Sequence, residues 1–263
     1  MIGAIIGDIV GSRFEFDNYR GTDFEFFHSA DFFTDDTVMS LAVAEAILKS
    51  MDTGEDLSAL TVKLMKTYGR KYPDCGFGGR FNRWVFSENT KPYNSFGNGA
   101  AMRVSPCGFA AKTLDEAVSL ADAVTRVTHN HPDGMAAAET TAYCIRAALD
   151  GAGKEDLRAA LKYDMNFTLD EIRPTYGFDE TCAGSVPQAI EAFLESTDFE
   201  SAIRLAVSIG GDSDTIACIT GGIAEAYYGV PRRMAEKAKT YLDPYLLASL
   251  DAFEARFPSK IID

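Results

Sequence analysis

A chain of 263 residues with 46% hydrophobic and 24% charged side chains is long enough for one large domain or two small ones and too apolar to stay disordered. Its formal net charge of -14, with no Lys/Arg-rich stripe to offset it, argues against nucleic acid as a partner, and no uncharged run is long enough to span a bilayer. Five scattered cysteines (Cys75, Cys107, Cys144, Cys182 and Cys218) include no CxxC pair, so they read as reduced thiols of a cytoplasmic protein, neither a disulfide framework nor a zinc site.

The first segment, Met1-Ile2-Gly3-Ala4-Ile5-Ile6, is apolar but has no basic flank and reaches Asp8 too soon for a signal peptide. Gly3, Gly7 and Gly11 recur at four-residue spacing. On a helix they make one smooth face for a second backbone; on a strand the run would be a buried segment entering a turn, and the pattern fits both. The Phe-rich stretch Phe24–Phe33 is the best strand candidate, although Asp, His and Ser interrupt it. Thr34-Asp35-Asp36-Thr37 then precedes the apolar, helix-forming run Val38–Ala44. Leu57, Leu60, Thr61, Leu64, Met65 and Tyr68 share a helical face. Residues 72–99 are the least regular part, and an irregular stretch of that length inside a domain tends to be functional.

Asn94-Ser95-Phe96-Gly97-Asn98-Gly99-Ala100-Ala101-Met102-Arg103 follows, a small-residue loop able to open a helix. Backbone N–H groups at such a turn suit a pyrophosphate, although an ordinary glycine turn is the more common explanation of a lone Gly-Asn-Gly. Further helical stripes run through Ala117, Leu120, Ala121 and Val124, then Met135, Ala138, Ala142, Ile145 and Leu149, with Asp150-Gly151 placed to end the second. Between them, Thr128-His129-Asn130-His131-Pro132 holds two of the three histidines without a third zinc ligand. Pro187 and Pro231 stand where helices start, and Ala202, Leu205, Ala206 and Ile209 form another stripe, as do Met234, Ala235, Ala238 and Leu242. Gly210-Gly211-Asp212-Ser213-Asp214-Thr215 leads into the apolar run Ile216–Ile219. With no repeat or linker, residues 1–263 read as one all-α domain.

The two acidic clusters are the main functional signal. One Asp or Thr before a helix is explained as an N-cap, favoured by the macrodipole. Two Asp residues with neighbouring Thr, twice over and ahead of buried helices, exceed what a cap needs, and hard cations are the natural partners of such oxygens. Asp212-Ser213-Asp214 also resembles the nucleophile motif of haloacid dehalogenase-type phosphatases. That motif normally closes the first strand of a parallel sheet, whereas here it lies late in a helix-rich chain.

Five motifs together, in this order, resemble the ADP-ribosylglycohydrolase family: Gly7-Asp8-Ile9-Val10-Gly11-Ser12-Arg13-Phe14-Glu15, Thr34-Asp35-Asp36-Thr37, Gly97-Asn98-Gly99-Ala100-Ala101-Met102-Arg103, His129-Asn130-His131-Pro132 and Gly210-Gly211-Asp212-Ser213-Asp214-Thr215. The resemblance implies a compact, orthogonally packed multi-helix bundle with a centre of two Mg²⁺ (or Mn²⁺). By motif position, Thr34, Asp35 and Asp36 would bind one metal, Asp212 and Thr215 the other, and Asp214 both. Glu15, Asp35 and Asp214 would be the catalytic carboxylates. Ser95, Phe96, Gly97, Asn98 and Gly99 would hold the pyrophosphate and adenine side of ADP-ribose, with Phe96 stacked on the base and His129 near the ligand.

The activity so implied is hydrolysis at the distal ribose C1″ of an ADP-ribosylated protein side chain or a small ADP-ribosyl compound, through an oxocarbenium-like transition state. Glu15 or a metal-bound hydroxide would serve as base or nucleophile generator. Asp8 is either a catalytic auxiliary or a buried structural carboxylate, and the aromatic segment 17–33 either a lid or a packing element. The alternative is a non-catalytic ADP-ribose binder or structural member of the same fold, against which the intact acidic sets count.

Overall fold

The opening run is a helix. In the computed structural model, which describes residues 1–263, α1 spans Ile2–Gly11 and every residue in it is buried. Its glycine face lies on a helix much later in the chain: a Cβ on Gly3 would stand 2.4 Å from the Gly221 carbonyl oxygen, one on Gly7 1.9 Å from that of Ala217, and one on Gly11 2.5 Å from Asp214 Cα. The order of these contacts makes the two helices antiparallel. Gly7→Ala therefore drives a methyl into backbone that cannot yield, and overpacking of this kind costs ~3 kcal/mol or more. A melting temperature for Gly7→Ala within a degree or two of wild type would contradict this packing.

Downstream helices begin where the caps stand. Thr34 caps α2 (Asp35–Thr53) by accepting from the Asp36 amide, and Gly54 ends it in the left-handed region at φ 74°. Asp56 caps α3 (Leu57–Lys71), whose predicted stripe buries Leu60, Thr61, Leu64, Met65 and Tyr68. Then come α4 (Gly79–Phe86), α5 (Ser105–Ala110), α6 (Leu114–Thr125), α7 (Pro132–Leu149), α8 (Lys154–Ala160) and α9 (Leu169–Ile172). The C-terminal part holds α10 (Cys182–Glu195), α11 (Phe199–Val207), α12 (Ser213–Tyr228), α13 (Arg232–Lys239) and α14 (Pro244–Arg256). The only sheet is β1 (Val230–Pro231) paired in parallel with β2 (Ile261–Ile262).

The centre of the molecule is α12, buried from Ser213 through Ala226 and packed against α1, α7, α10 and α11. One hydrophobic cluster includes residues from α1 through α14. The all-α expectation holds, and Asp150-Gly151 does end α7, with Gly151 at φ 91°. Pro231 is the N-cap of α13, close to the expected start.

Two expectations do not hold. Phe24–Phe33 forms no strand, because no strand lies beside it to complete a ladder. Its rings pack on the core instead: Phe24 lies 5.0 Å from Phe14, under the Arg204 guanidinium, and Phe27 stacks on Tyr241. The backbone of this segment is held by side chains, with Arg204 donating to the Thr22 and Phe24 carbonyls and the Tyr241 hydroxyl to that of His28. Pro187 does not open a helix; it lies inside α10, which starts five residues earlier behind the Thr181 cap. The ring removes one backbone donor, and burial of Val186, Ile190 and Phe193 along the same helix outweighs that loss.

Candidate active site

Three local features converge the acidic clusters. The antiparallel packing of α1 on α12 sets Gly11 against Asp214. One turn back, the fully buried Asp8 holds the start of α2: it accepts from the Thr34 amide at 3.0 Å, the Thr34 hydroxyl at 2.6 Å, the Thr37 amide at 3.1 Å and the Thr37 hydroxyl. Gly210 and Gly211, at φ 73° and 74°, turn the chain sharply into α12. The N-termini of α2 and α12 thus meet, and Thr215 Oγ1 donates to Asp36 Oδ2 at 3.2 Å to join them. Both helix dipoles favour anionic side chains there.

A cleft of about 360 Å³ opens over this junction. Glu15, Asp35, Asp36, Asp212, Asp214 and Thr215 line its acidic end. Ser95, Gly97, Asn98, Gly99 and His129 line another part, and Arg80, Arg83, Tyr93, Arg103, Phe178 and Glu180 are also among the wall residues. Phe178 stacks on Phe16 with ring centroids 5.8 Å apart, which leaves an exposed aromatic pair next to Glu15.

Burial first, and then the charge of neighbouring carboxylates, push Asp35, Asp36 and Asp214 well above the usual carboxylate range. Burial raises Asp8 as well, against the opposing pull of its bonds from Thr34 and Thr37. Glu15 is pushed up to about 7, by burial and then by Asp212 and Asp8.

Carboxylate oxygens gather into two groups: Asp8, Asp36 and Asp214, and Glu15, Asp212 and Asp214, each with its oxygens within 4.8 Å of one another. Asp214 belongs to both. Asp36 Oδ1 is buried with no hydrogen-bond partner, an expensive position for a carboxylate oxygen unless a cation takes it. All the donors are hard oxygens, the set that Mg²⁺ and Mn²⁺ prefer, so the residues fit a divalent metal centre.

The remaining expected residues fall as follows. Asp35 lines the cleft outside both groups, beside Gly76. Thr34 commits its hydroxyl proton to Asp8 and is not part of the cleft wall. Asn98 aims its amide inward, donating from Nδ2 to Asp212 Oδ2 at 2.6 Å and to Ser185 Oγ at 2.9 Å, while its backbone N–H bonds the Glu180 carbonyl. Phe96 is half-exposed and lies edge-on to His131, also outside the cleft wall. Sequence reasoning passed over Asp8 as a member of a carboxylate group, and over Arg80, Arg83, Tyr93 and Phe178. The irregular stretch 72–99 carried a signal for the first three of these four wall residues; nothing marked Phe178.

The sequence profile of the ADP-ribosylglycohydrolase family matches residues 1–258. The chain belongs to the ADP-ribosylglycohydrolase family. Human ADP-ribosylhydrolase ARH3 is 25% identical over 333 residues, covering 94% of this chain and 90% of the relative. The ADP-ribosylarginine hydrolase Tri1 of Serratia proteamaculans (strain 568) is 26% identical over 280 residues, covering 90% of this chain and 73% of its own. The ADP-ribosyl-[dinitrogen reductase] glycohydrolase of Rhodospirillum rubrum is 30% identical over 207 residues, covering 75% and 69%. A solved structure described as an ADP-ribosylglycohydrolase-related protein complex superposes with a TM-score of 0.69 at 27% identity, covering 97% of this chain and 96% of that one. This member of the ADP-ribosylglycohydrolase family is a hydrolase of ADP-ribosyl compounds, and none of its helices is long and apolar enough to cross a membrane.

Proposed function

We propose that this chain is a metal-dependent hydrolase that cleaves the glycosidic bond at the distal ribose C1″ of an ADP-ribosylated protein side chain or small ADP-ribosyl compound and releases ADP-ribose. The observation that carries the reading is Asp214, shared by two carboxylate groups, beside the unpartnered Asp36 Oδ1 in one cleft. Asp36 would hold one cation with Asp8, Thr34 and Asp35 as neighbours; Asp212, Thr215 and Glu15 would serve the other, and Asp214 both. Bound there, two Mg²⁺ or Mn²⁺ supply Lewis acidity toward the ribose hydroxyls and toward water.

The protein's own groups do the rest. Glu15, half-buried at the cleft, accepts the proton from the attacking water. Asn98 fixes the orientation of Asp212. Ser95, the Gly97–Gly99 loop and His129 receive the diphosphate, and Arg80 and Arg83 supply positive charge in the same wall. Tyr93 and Phe178, both in the cleft wall, offer ring faces to the base or the leaving group.

The test is product release from ADP-ribosyl-arginine, ADP-ribosyl-serine and O-acetyl-ADP-ribose, with and without chelator. ADP-ribose release should vanish on chelation and return with Mg²⁺ or Mn²⁺. In parallel, metal and ADP-ribose should each raise the melting temperature, by about 2.7 kcal/mol of stabilisation at a hundredfold excess over Kd. Absence of stabilisation by either, or chelator-resistant phosphatase activity instead, would sink the reading.

A further inference from the structure

Arg103, Thr128 and His129 form a buried chain of polar contacts at the cleft wall, to which Arg103 and His129 belong. Arg103 is fully buried, its Nη2 donates to Thr128 Oγ1 at 2.7 Å, and Thr128 Oγ1 lies 2.8 Å from His129 Nδ1. The directions follow from donor chemistry. A guanidinium only donates, so Thr128 Oγ1 accepts from it and keeps its single proton free to point toward Nδ1. Arg103 Nη2 also approaches Nδ1 directly, at 3.4 Å, again as a donor. Arg103 Nη2 can only donate, so Nδ1 is the acceptor in that contact, which favours the ring proton on Nε2.

Nε2 has no hydrogen-bond partner in the protein, and His129 is part of the cleft wall. Its path to the cleft stays open because two neighbours lack side chains: a Cβ on Gly99 would stand 3.3 Å from Nε2, and one on Gly97 3.8 Å. Burial and the adjacent Arg103 also hold the ring well below the ordinary histidine range, so it stays neutral.

We propose that Arg103 and Thr128 are positioning residues that lock His129 as the Nε2–H tautomer, presenting one neutral donor to a diphosphate oxygen lying along the Gly97–Gly99 loop. The tautomer rests on the hydrogen bonds alone; its assignment to a diphosphate rests on the reading of the cleft given above. A neutral donor bonds an anion while adding no net charge to a cleft wall that already holds Arg80 and Arg83.

The experiment combines ¹⁵N–¹H correlation spectra of the histidine rings with calorimetric titration of ADP-ribose, using wild type, Thr128→Val and Thr128→Ser. Wild type should show a protonated Nε2 and a bare Nδ1 at His129. Thr128→Val keeps the shape and removes the relay, so the ring should show mixed tautomers and ADP-ribose affinity should fall roughly tenfold. Thr128→Ser should restore both. A wild-type ring protonated on Nδ1 overturns the proposal even if Thr128→Val does not fold. A full loss of affinity that Thr128→Ser does not rescue, with the tautomer unchanged, would make Thr128 merely structural and overturn it too. If wild type binds no ADP-ribose, the cleft reading fails, along with the diphosphate half of this proposal, while the spectra still decide the relay.

Discussion

Asp214→Asn is expected to lower hydrolysis sharply while making the chelator-treated protein more stable. Asp214 is the residue common to both carboxylate groups, so its charge serves both proposed cations. Loss of that charge should lower turnover by about 10²–10³-fold, the scale of removing a principal electrostatic contributor. The same charge is a liability without metal. Burial, Asp212 and Asp36 all push the Asp214 carboxyl well above its ordinary range, so ionising it opposes folding. A group whose folded-state value is raised stabilises the fold fully below its unfolded value, and that stability is lost as pH rises through the folded one. The chelated wild type should thus lose stability on going from about pH 5 to pH 8, and the variant should lose less. Asparagine keeps the oxygen that accepts from the Thr215 amide at 3.0 Å, so no bond is sacrificed. A gain of about 1 kcal/mol corresponds to ~2–4 °C in a chain of this size. Thermal melts with chelator and with Mg²⁺ check both halves, and an Mg²⁺ response equal to that of wild type would remove Asp214 from the centre.

What the sequence made legible was local. Two Asp residues beside Thr ahead of buried helices signalled oxygen ligands, and glycines at 3, 7 and 11 signalled a close approach; each pattern is complete within a dozen residues. The partner of the glycine face was invisible, since Gly221 and Ala217 lie over two hundred residues away and carry no mark of complementarity. Asp8 illustrates the same limit. Its four donors all come from Thr34 and Thr37, so its place beneath the junction exists only once α1 and α2 are packed. Phe24–Phe33 misled because aromatic density is common to strands and to irregular segments pinned on a helical core, and Pro187 because the Thr181 cap six residues earlier outranks it. Asn98 shows a subtler gap. The loop pattern pointed to backbone donors for a ligand, whereas the side chain turns to Asp212 and couples that loop to the acidic centre.

That coupling bears on the base. Glu15→Gln is expected to lower kcat by about 10²–10⁴-fold, the usual contribution of a general base, with a much smaller change in ADP-ribose affinity. It should also erase the acidic limb of the pH–rate profile. A base works deprotonated, so wild-type activity should rise with pH through the Glu15 value. Burial, Asp212 and Asp8 lift that value from 4.5 to about 7, and the positive charge of metals at the neighbouring carboxylates opposes the lift. At saturating Mg²⁺ the limb should therefore have its midpoint between 4.5 and about 7, moving toward the upper end as metal is lowered. The same variant removes a repelling charge from the acidic end, so its chelated form should melt no lower than wild type. Steady-state rates from about pH 5 to pH 8.5, at several Mg²⁺ concentrations, distinguish the roles. An acidic limb that survives Glu15→Gln assigns the base to another carboxylate, of which Asp35, in the cleft wall but outside both metal groups, is the nearest in chemistry.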